Sequence, residues 1–151
     1  MTRFRALAAC LVLLSLLGCS ANSASWFGGS TTVTVAIDPG INQNLPIAVE
    51  VVIVYDATLL DKLAATSASG WFERREQFRR DYPEGFISLY REWVPGQDVD
   101  SQEISFSTGA RGGLVYADYQ NNQENRVRFD PHQDIKIHLS ESTFTVDPVT
   151  Q

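Results

Sequence analysis

The chain has 151 residues, 18 of them acidic and 12 basic, for a formal net charge of −6 at pH 7, with 44% apolar and 11% aromatic side chains. This length and apolar share suffice for one hydrophobic core, and the excess of acid argues against a nucleic-acid partner held through phosphates.

The N-terminus has the order of an export signal. Arg3 and Arg5 precede a stretch from Ala6 to Leu17 that is apolar except for Ser15, which is charged first and greasy second. A membrane span needs about 20 apolar residues, and this run stops after roughly a dozen, so it is read as a signal peptide over residues 1–18. Leu16, Leu17 and Gly18 before Cys19 resemble the lipobox of bacterial lipoproteins. That resemblance implies cleavage before Cys19, a thioether to diacylglycerol on its sulfur and acylation of the new amine. Three acyl chains anchor firmly, since each buried methylene contributes about 0.8 kcal/mol. Ser20, where an Asp would signal retention at the inner membrane, implies sorting to the outer membrane, on its periplasmic face. The alternative is an ordinary secretory signal that ends by chance in cysteine. Processing leaves 151 − 18 = 133 residues and, with Arg3 and Arg5 gone, takes the charge from −6 to −8. Cys10 leaves with the signal and Cys19 is consumed by lipid, so no disulfide is expected and the domain must rely on its core.

Residues 19–30 are read as a lipidated flexible tether. They are small and polar apart from Trp26 and Phe27, which either rest at the bilayer interface or tuck into the domain. Residues 31–151 form the domain. Thr31 to Ile37 alternates as a half-buried strand with Val33, Val35 and Ile37 on one face, and Asp38, Pro39 and Gly40 break it. Ile47 to Tyr55 is apolar on both faces, as in a central strand covered on two sides. Asp56 then caps a helix from Ala57 to Ala65 carrying Leu59, Leu60 and Leu63, and Thr66 to Gly70 interrupts. A second helix spans Trp71 to Asp81, capped by Ser69 or Gly70 and stopped by Pro83. Trp71, Phe72, Phe78 and Tyr82 form its inward stripe, with Glu73, Arg74, Glu76, Gln77, Arg79 and Arg80 outward and Glu76 four residues before Arg80. The helical insertion thus covers about 57–82.

Period-two patterning resumes at Phe86 to Val94, Gln102 to Ser107, Gly113 to Tyr119, Asn125 to Phe129, Asp134 to Leu139 and Ser142 to Val146. Turn-rich segments separate these stretches. Eight strands with a helical excursion predict a mainly β fold, an antiparallel two-sheet β-sandwich with a short helical insertion.

Chemistry-bearing patterns are sparse. The mature chain has two imidazoles, His132 and His138, and no Gly-x-Ser-x-Gly elbow, so serine catalysis has no support. His138 is out of phase with Ile137 and Leu139 and reads as a solvated strand residue. Asp130, His132 and Asp134 alternate, but Pro131 marks the segment as a turn, and a metal site needs three or four converging ligands. Asp98, Asp100 and Glu103 lack the glycine and distal Glu of a calcium loop and read as an acidic hairpin connection. No metal or other cofactor is expected, and no enzymatic activity. The segment "WFERREQFRRDYP" holds Arg74, Arg75, Arg79 and Arg80. It is either a basic docking face or a solvated face balanced by Glu73, Glu76 and Asp81.

Taken in order, a lipobox, a tether, a strand ending in Asp38-Pro39, a loop, "VYDATL" over Val54 to Leu59, a helical insertion, "GLVYADYQ" over Gly113 to Gln120 and "NRVRF" over Asn125 to Phe129 make a pattern. It resembles TssJ, the outer-membrane lipoprotein of type VI secretion systems. The family's "FFxLY" segment is replaced by "WFERREQF". The resemblance implies a transthyretin-like sandwich whose loop between the first two strands grips the periplasmic domain of TssM, an inner-membrane protein. The matching residues are Asp38, Pro39, Gly40, Ile41, Asn42, Gln43, Asn44, Leu45 and Pro46. Ile41 and Leu45 are apolar in an otherwise polar loop, available either to a partner or to cap the sandwich. A pilotin-like or assembly lipoprotein for another outer-membrane component, and an envelope hydrolase or sugar-binding lipoprotein, are the competing readings.

Overall fold

The computed structural model describes residues 28–149, so the signal peptide, Cys19, Trp26 and Phe27 lie outside the described residues. Eight strands are present among them: β1 Gly29–Ile37, β2 Ile47–Val54, β3 Phe86–Trp93, β4 Gln102–Phe106, β5 Gly112–Ala117, β6 Arg126–Phe129, β7 Ile135–Leu139 and β8 Phe144–Pro148. Helices α1 (Ala57–Ala64) and α2 (Ala68–Asp81) sit between β2 and β3. One sheet has the order β4-β1-β7-β8 and the other β3-β2-β5-β6.

The expected sandwich is observed, with one pairing that patterning alone does not reveal. Every neighbour is antiparallel except β1 and β7, which run parallel with Val33 opposite Ile135 and Ile37 opposite Leu139. The cause is parity. The chain reverses direction at every connection, so odd strands run one way and even strands the other, and β1–β7 is the one adjacent pair that is both odd. All odd strands therefore start at the end where β1 begins. The connections 38–46, 94–101, 118–125 and 140–143 gather at the opposite end.

β2 is covered on both faces, as its sequence predicts. Val49, Val51 and Ile53 enter the core between the sheets with Val33, Ile41, Trp93, Val115, Ile137 and Leu139. Val52 and Val54 enter a second core under the helices with Leu59, Leu60, Leu63, Trp71, Phe78, Leu114 and Tyr116. Trp71 organises the second core. Its ring stacks on Tyr116 at 4.9 Å and on Phe78 at 5.8 Å, and meets Phe86 edge-on at 5.6 Å. Such pairs add about 0.5–1.5 kcal/mol each beyond area burial.

The helix boundaries differ in one respect from expectation. α2 begins at Ala68, and its cap is Ser67, whose hydroxyl accepts from Gly70 N at 3.2 Å. Gly70, which looks like a breaker in sequence, sits in the first turn with its N–H already satisfied. Asp56 caps α1 as predicted, accepting from Leu59 N at 2.7 Å. The acidic segment 94–101 is not a hairpin, because β3 and β4 belong to different sheets and the segment crosses between them.

The face of β2 toward the helices carries Glu50, fully buried among the valines. Its Oε2 accepts from Trp71 Nε1 at 3.0 Å and from Arg75 at 3.2 Å, and its Oε1 from Arg79 at 2.6 Å. A buried carboxylate needs such pairing. Two arginines of the basic segment thus turn inward to tie α2 to the sheet. Arg79 also pairs with Glu76, taking the place predicted for Arg80, which donates to Gln77 at 2.8 Å. No helix among the described residues is long and apolar enough to cross a membrane.

Candidate functional site

β1 ends at Ile37, and its continuation is fixed at the root. Asp38 N donates to Leu139 O at 3.0 Å, and the Asp38 carboxylate lies 2.9 Å from Nε2 of His138 on β7. His138 points off the core face as expected, yet it is half-buried and has this partner rather than only solvent. The Asp38 carbonyl accepts from Gly96 N at 3.2 Å, and Gly96 packs against Pro39. Pro39 and Gly40 are exposed.

Ile41 and Leu45 take different fates. Ile41 is fully buried in the inter-sheet core, whereas Leu45 is 40% exposed. Between them Asn42, Gln43 and Asn44 hold φ of 45°, 58° and 62°, three successive left-handed residues with no glycine among them. Left-handed backbone costs an L-residue roughly 1–2 kcal/mol, and it persists only where the surroundings over-determine it. Asn42 supplies that constraint. It is buried, its N–H donates to Glu141 O at 2.9 Å, its Nδ2 to Pro46 O at 2.8 Å, and its Oδ1 accepts from Gln120 N at 2.8 Å. Asparagine is among the residue types other than glycine that tolerate this backbone. Three connections are thereby sewn together at one end of the sandwich, and Gln43, Asn44, Leu45 and Pro46 are left facing outward.

Sequence reasoning did not find Asn42 as the anchor or Val94 as a neighbour of the loop. The run Asn-Gln-Asn is compatible with left-handed backbone but carries no sign of the contacts that make Asn42 the anchor. Val94 follows Trp93, which pairs with Ile47, and it is 50% exposed beside the loop's exit.

The other candidate residues are occupied structurally. Asp130 accepts from His132 N at 2.9 Å and Asp134 from Thr32 N at 2.7 Å, while the His132 ring meets Phe106 edge-on at 5.4 Å. No group of three or more His, Cys, Asp or Glu able to hold a metal occurs among the described residues. Four open concavities on the described surface bring at most one carboxylate each, so none assembles an acid and base pair. Tyr116 and Tyr119 have phenols pushed well above their ordinary pKa by burial. Both donate to backbone carbonyls, Tyr116 to Leu63 at 2.7 Å and Tyr119 to Thr143 at 2.7 Å.

No protein-family model matches the chain, and no curated protein matches it. Solved structures do match. The T6SS lipoprotein TssJ1 from Pseudomonas aeruginosa aligns with a TM-score of 0.62 at 12% identity, over 82% of this chain and 98% of that one. Lip from Serratia marcescens, a membrane-bound component of the type VI secretion system, aligns at 0.61 and 18% identity, over 82% and 99%. A chain of a type VI membrane complex aligns at 0.57 and 17% identity, over 80% and 98%. The fold expected from the sequence resemblance, a mainly β, TssJ-like sandwich with two helices, is therefore the fold observed.

Proposed function

We propose that the chain is a non-catalytic lipoprotein, held on the periplasmic face of the outer membrane by lipid on Cys19. In this role it binds the periplasmic domain of a TssM-like inner-membrane protein through the loop Asp38–Pro46, and so ties a type VI secretion membrane complex to the outer membrane. Residues 1–18 serve as the signal peptide, and the tether that starts at Cys19 feeds into β1.

The observation that carries this reading is the placement of the loop. β1 receives the tether at one end of the sandwich and delivers the loop at the other, after nine residues, or about 30 Å of strand. A lipid anchor at the first end leaves the second directed away from the membrane. The loop there is held in a left-handed turn before any partner arrives, and Leu45 stands exposed beyond it. A pre-formed loop loses little conformational entropy on binding, and an apolar side chain on a rigid support suits an anchor in a partner's pocket. The fold shared with type VI lipoproteins supports the same direction.

Cys19→Ser separates the two halves of the proposal. The variant is expected in the soluble periplasmic fraction, still pulling down the TssM-like periplasmic domain, while secretion fails. Full secretion by the unlipidated chain would overturn the anchoring role. Recovery of a β-barrel or secretin instead of the inner-membrane protein would replace the reading with a pilotin-like one.

A further inference from the structure

The end of the sandwich where β1 begins carries a concavity of about 570 Å³ that the loop-binding function does not use, lined by Arg111, Gly112, Arg128, Phe129, Asp130 and Pro131. Arg111 immediately precedes β5, and Arg128 is the penultimate residue of its antiparallel neighbour β6, so the pairing of these strands brings the two arginines to one place. The Thr31 hydroxyl on β1 donates to the Pro131 carbonyl, which ties the rim of the concavity to the first residues of β1.

These two arginines differ from the rest. The six other described arginines each donate to an acceptor within 3.2 Å. The Arg111 guanidinium has no hydrogen bond or ion pair among the described residues, and only its backbone N–H is bonded, to Val54 O at 2.7 Å. Arg128 has a single ion pair, to Asp61 at 4.0 Å, between side chains that are 54% and 81% exposed, and such a pair holds weakly. Asp130, the one carboxylate in the lining, is turned onto its own connection, accepting from His132 N at 2.9 Å and from Gln133 Nε2 at 3.3 Å. Glu84 lines the neighbouring concavity that Arg111 also borders, with no ion pair between them. Gly112 keeps the floor open, since a Cβ there would stand 3.5 Å from Arg128 Nε. Two cations thus share one concavity in an acidic chain, neither of them neutralised by a close internal partner.

We infer that Arg111 and Arg128 form a docking site for the phosphate groups of membrane phospholipids. The inference rests on the proposed anchoring. Cys19 stands nine positions before Gly28, and nine residues reach at most about 30 Å, so lipid on Cys19 keeps the start of β1 within that distance of a bilayer. Phospholipid phosphates are then the anions at highest local concentration around this end. Guanidinium groups suit phosphate, because their planar donors meet its oxygens in pairs. An acidic domain is repelled by an anionic membrane surface, and uncommitted arginines at the near end offset that repulsion. Their docking sets the domain upright, with the loop end directed away from the bilayer.

The test supplies the anchor chemically, so that it does not depend on acylation of Cys19 in the cell, which the fractionation of Cys19→Ser reads separately. The processed chain, residues 19–151, has Cys19 as its one thiol. That thiol is coupled to a maleimide phospholipid in vesicles of phosphatidylethanolamine and phosphatidylglycerol, with the arginines labelled with carbon-13. Solid-state NMR then reads the dephasing of guanidinium carbon by lipid phosphorus. Dephasing is expected in the parent. It should fall in part in Arg111→Gln and in Arg128→Gln and severalfold in the double variant, while Arg80→Gln, an exposed change on α2, leaves it unaltered. Urea unfolding midpoints equal to the parent's show that the variants are folded. A second arm titrates the uncoupled chain with inorganic phosphate in the absence of vesicles, where no saturable binding is expected at millimolar concentration. Absence of dephasing in the parent, or dephasing that survives in the double variant, would overturn the inference. Saturable binding of inorganic phosphate that Arg111→Gln abolishes, without lipid dephasing in the coupled chain, would overturn it in favour of a free anion.

Discussion

Asn42 holds the candidate loop through two side-chain hydrogen bonds and a left-handed backbone that alanine tolerates poorly. Each bond contributes about 0.5–1.5 kcal/mol, so Asn42→Ala should lower unfolding free energy by about 2–3 kcal/mol, read from the midpoint of urea denaturation. Asn42→Gly should recover the backbone share and lose the rest. Glu50 is the second residue on which much depends. Glu50→Ala strands Trp71 Nε1 and removes the acid from Arg75 and Arg79, for an expected loss of about 3 kcal/mol in the same assay. Arg75→Ala should lose less, about 1 kcal/mol, because its side chain is 27% exposed and Arg79 still compensates the charge. Alkali offers a third probe. Burial keeps the Tyr116 and Tyr119 phenols protonated in the native chain above the ordinary value, while an unfolded tyrosine releases its proton near pH 10. Above that pH the native state binds more protons than the unfolded one, so stability must fall as pH rises. Tyr119→Phe should flatten that fall between about pH 10 and 12, measured by urea unfolding. Neither Asn42 nor Glu50 was legible beforehand. A lone acid within a β-branched strand looks like a solvent position until the helix that covers it is placed, and a polar loop residue gives no sign that three connections converge on it.

At the scale of elements the sequence was far more informative. Alternation located all eight strands, and the leucine and aromatic spacing located both helices, because those patterns are local and periodic. The cap of α2 is Ser67, where Ser69 or Gly70 is expected from sequence, because the helix takes Gly70 into its first turn. Asp56 was recognised, and Asp56→Ala should destabilise by about 1 kcal/mol through the lost bond to Leu59 N, detectable as a lower urea midpoint. Pairing order was not legible, since nothing local in β1 or β7 announces that they are neighbours. The arginines of α2 show how pairing changes a reading. Their helical spacing suggested either a docking face or a solvated one, and the structure turns Arg75 and Arg79 onto Glu50, leaving Arg74 and Arg80 outward.

Over the whole molecule, alternating strand direction does the positional work. One end collects the start of β1, and the other collects the loop with Val94 and the Asp38–His138 contact beside it. The anchor was read from the order of a few N-terminal residues, and the loop from a resemblance. That the start of β1 and the loop lie at opposite ends of the sandwich emerges only when the strands are assembled. The central claim is that the loop end binds a TssM-like periplasmic domain, with Leu45 as an apolar anchor. The most direct measurement is a titration of that domain with the chain and with Leu45→Asp, a substitution at an exposed position that leaves Ile41 and Asn42 in place. Burying a leucine is worth about 1.5–3 kcal/mol, so a loss of affinity of roughly tenfold or more is expected, with unchanged urea unfolding. Equal affinity for the two chains, or no binding by either, would contradict the account.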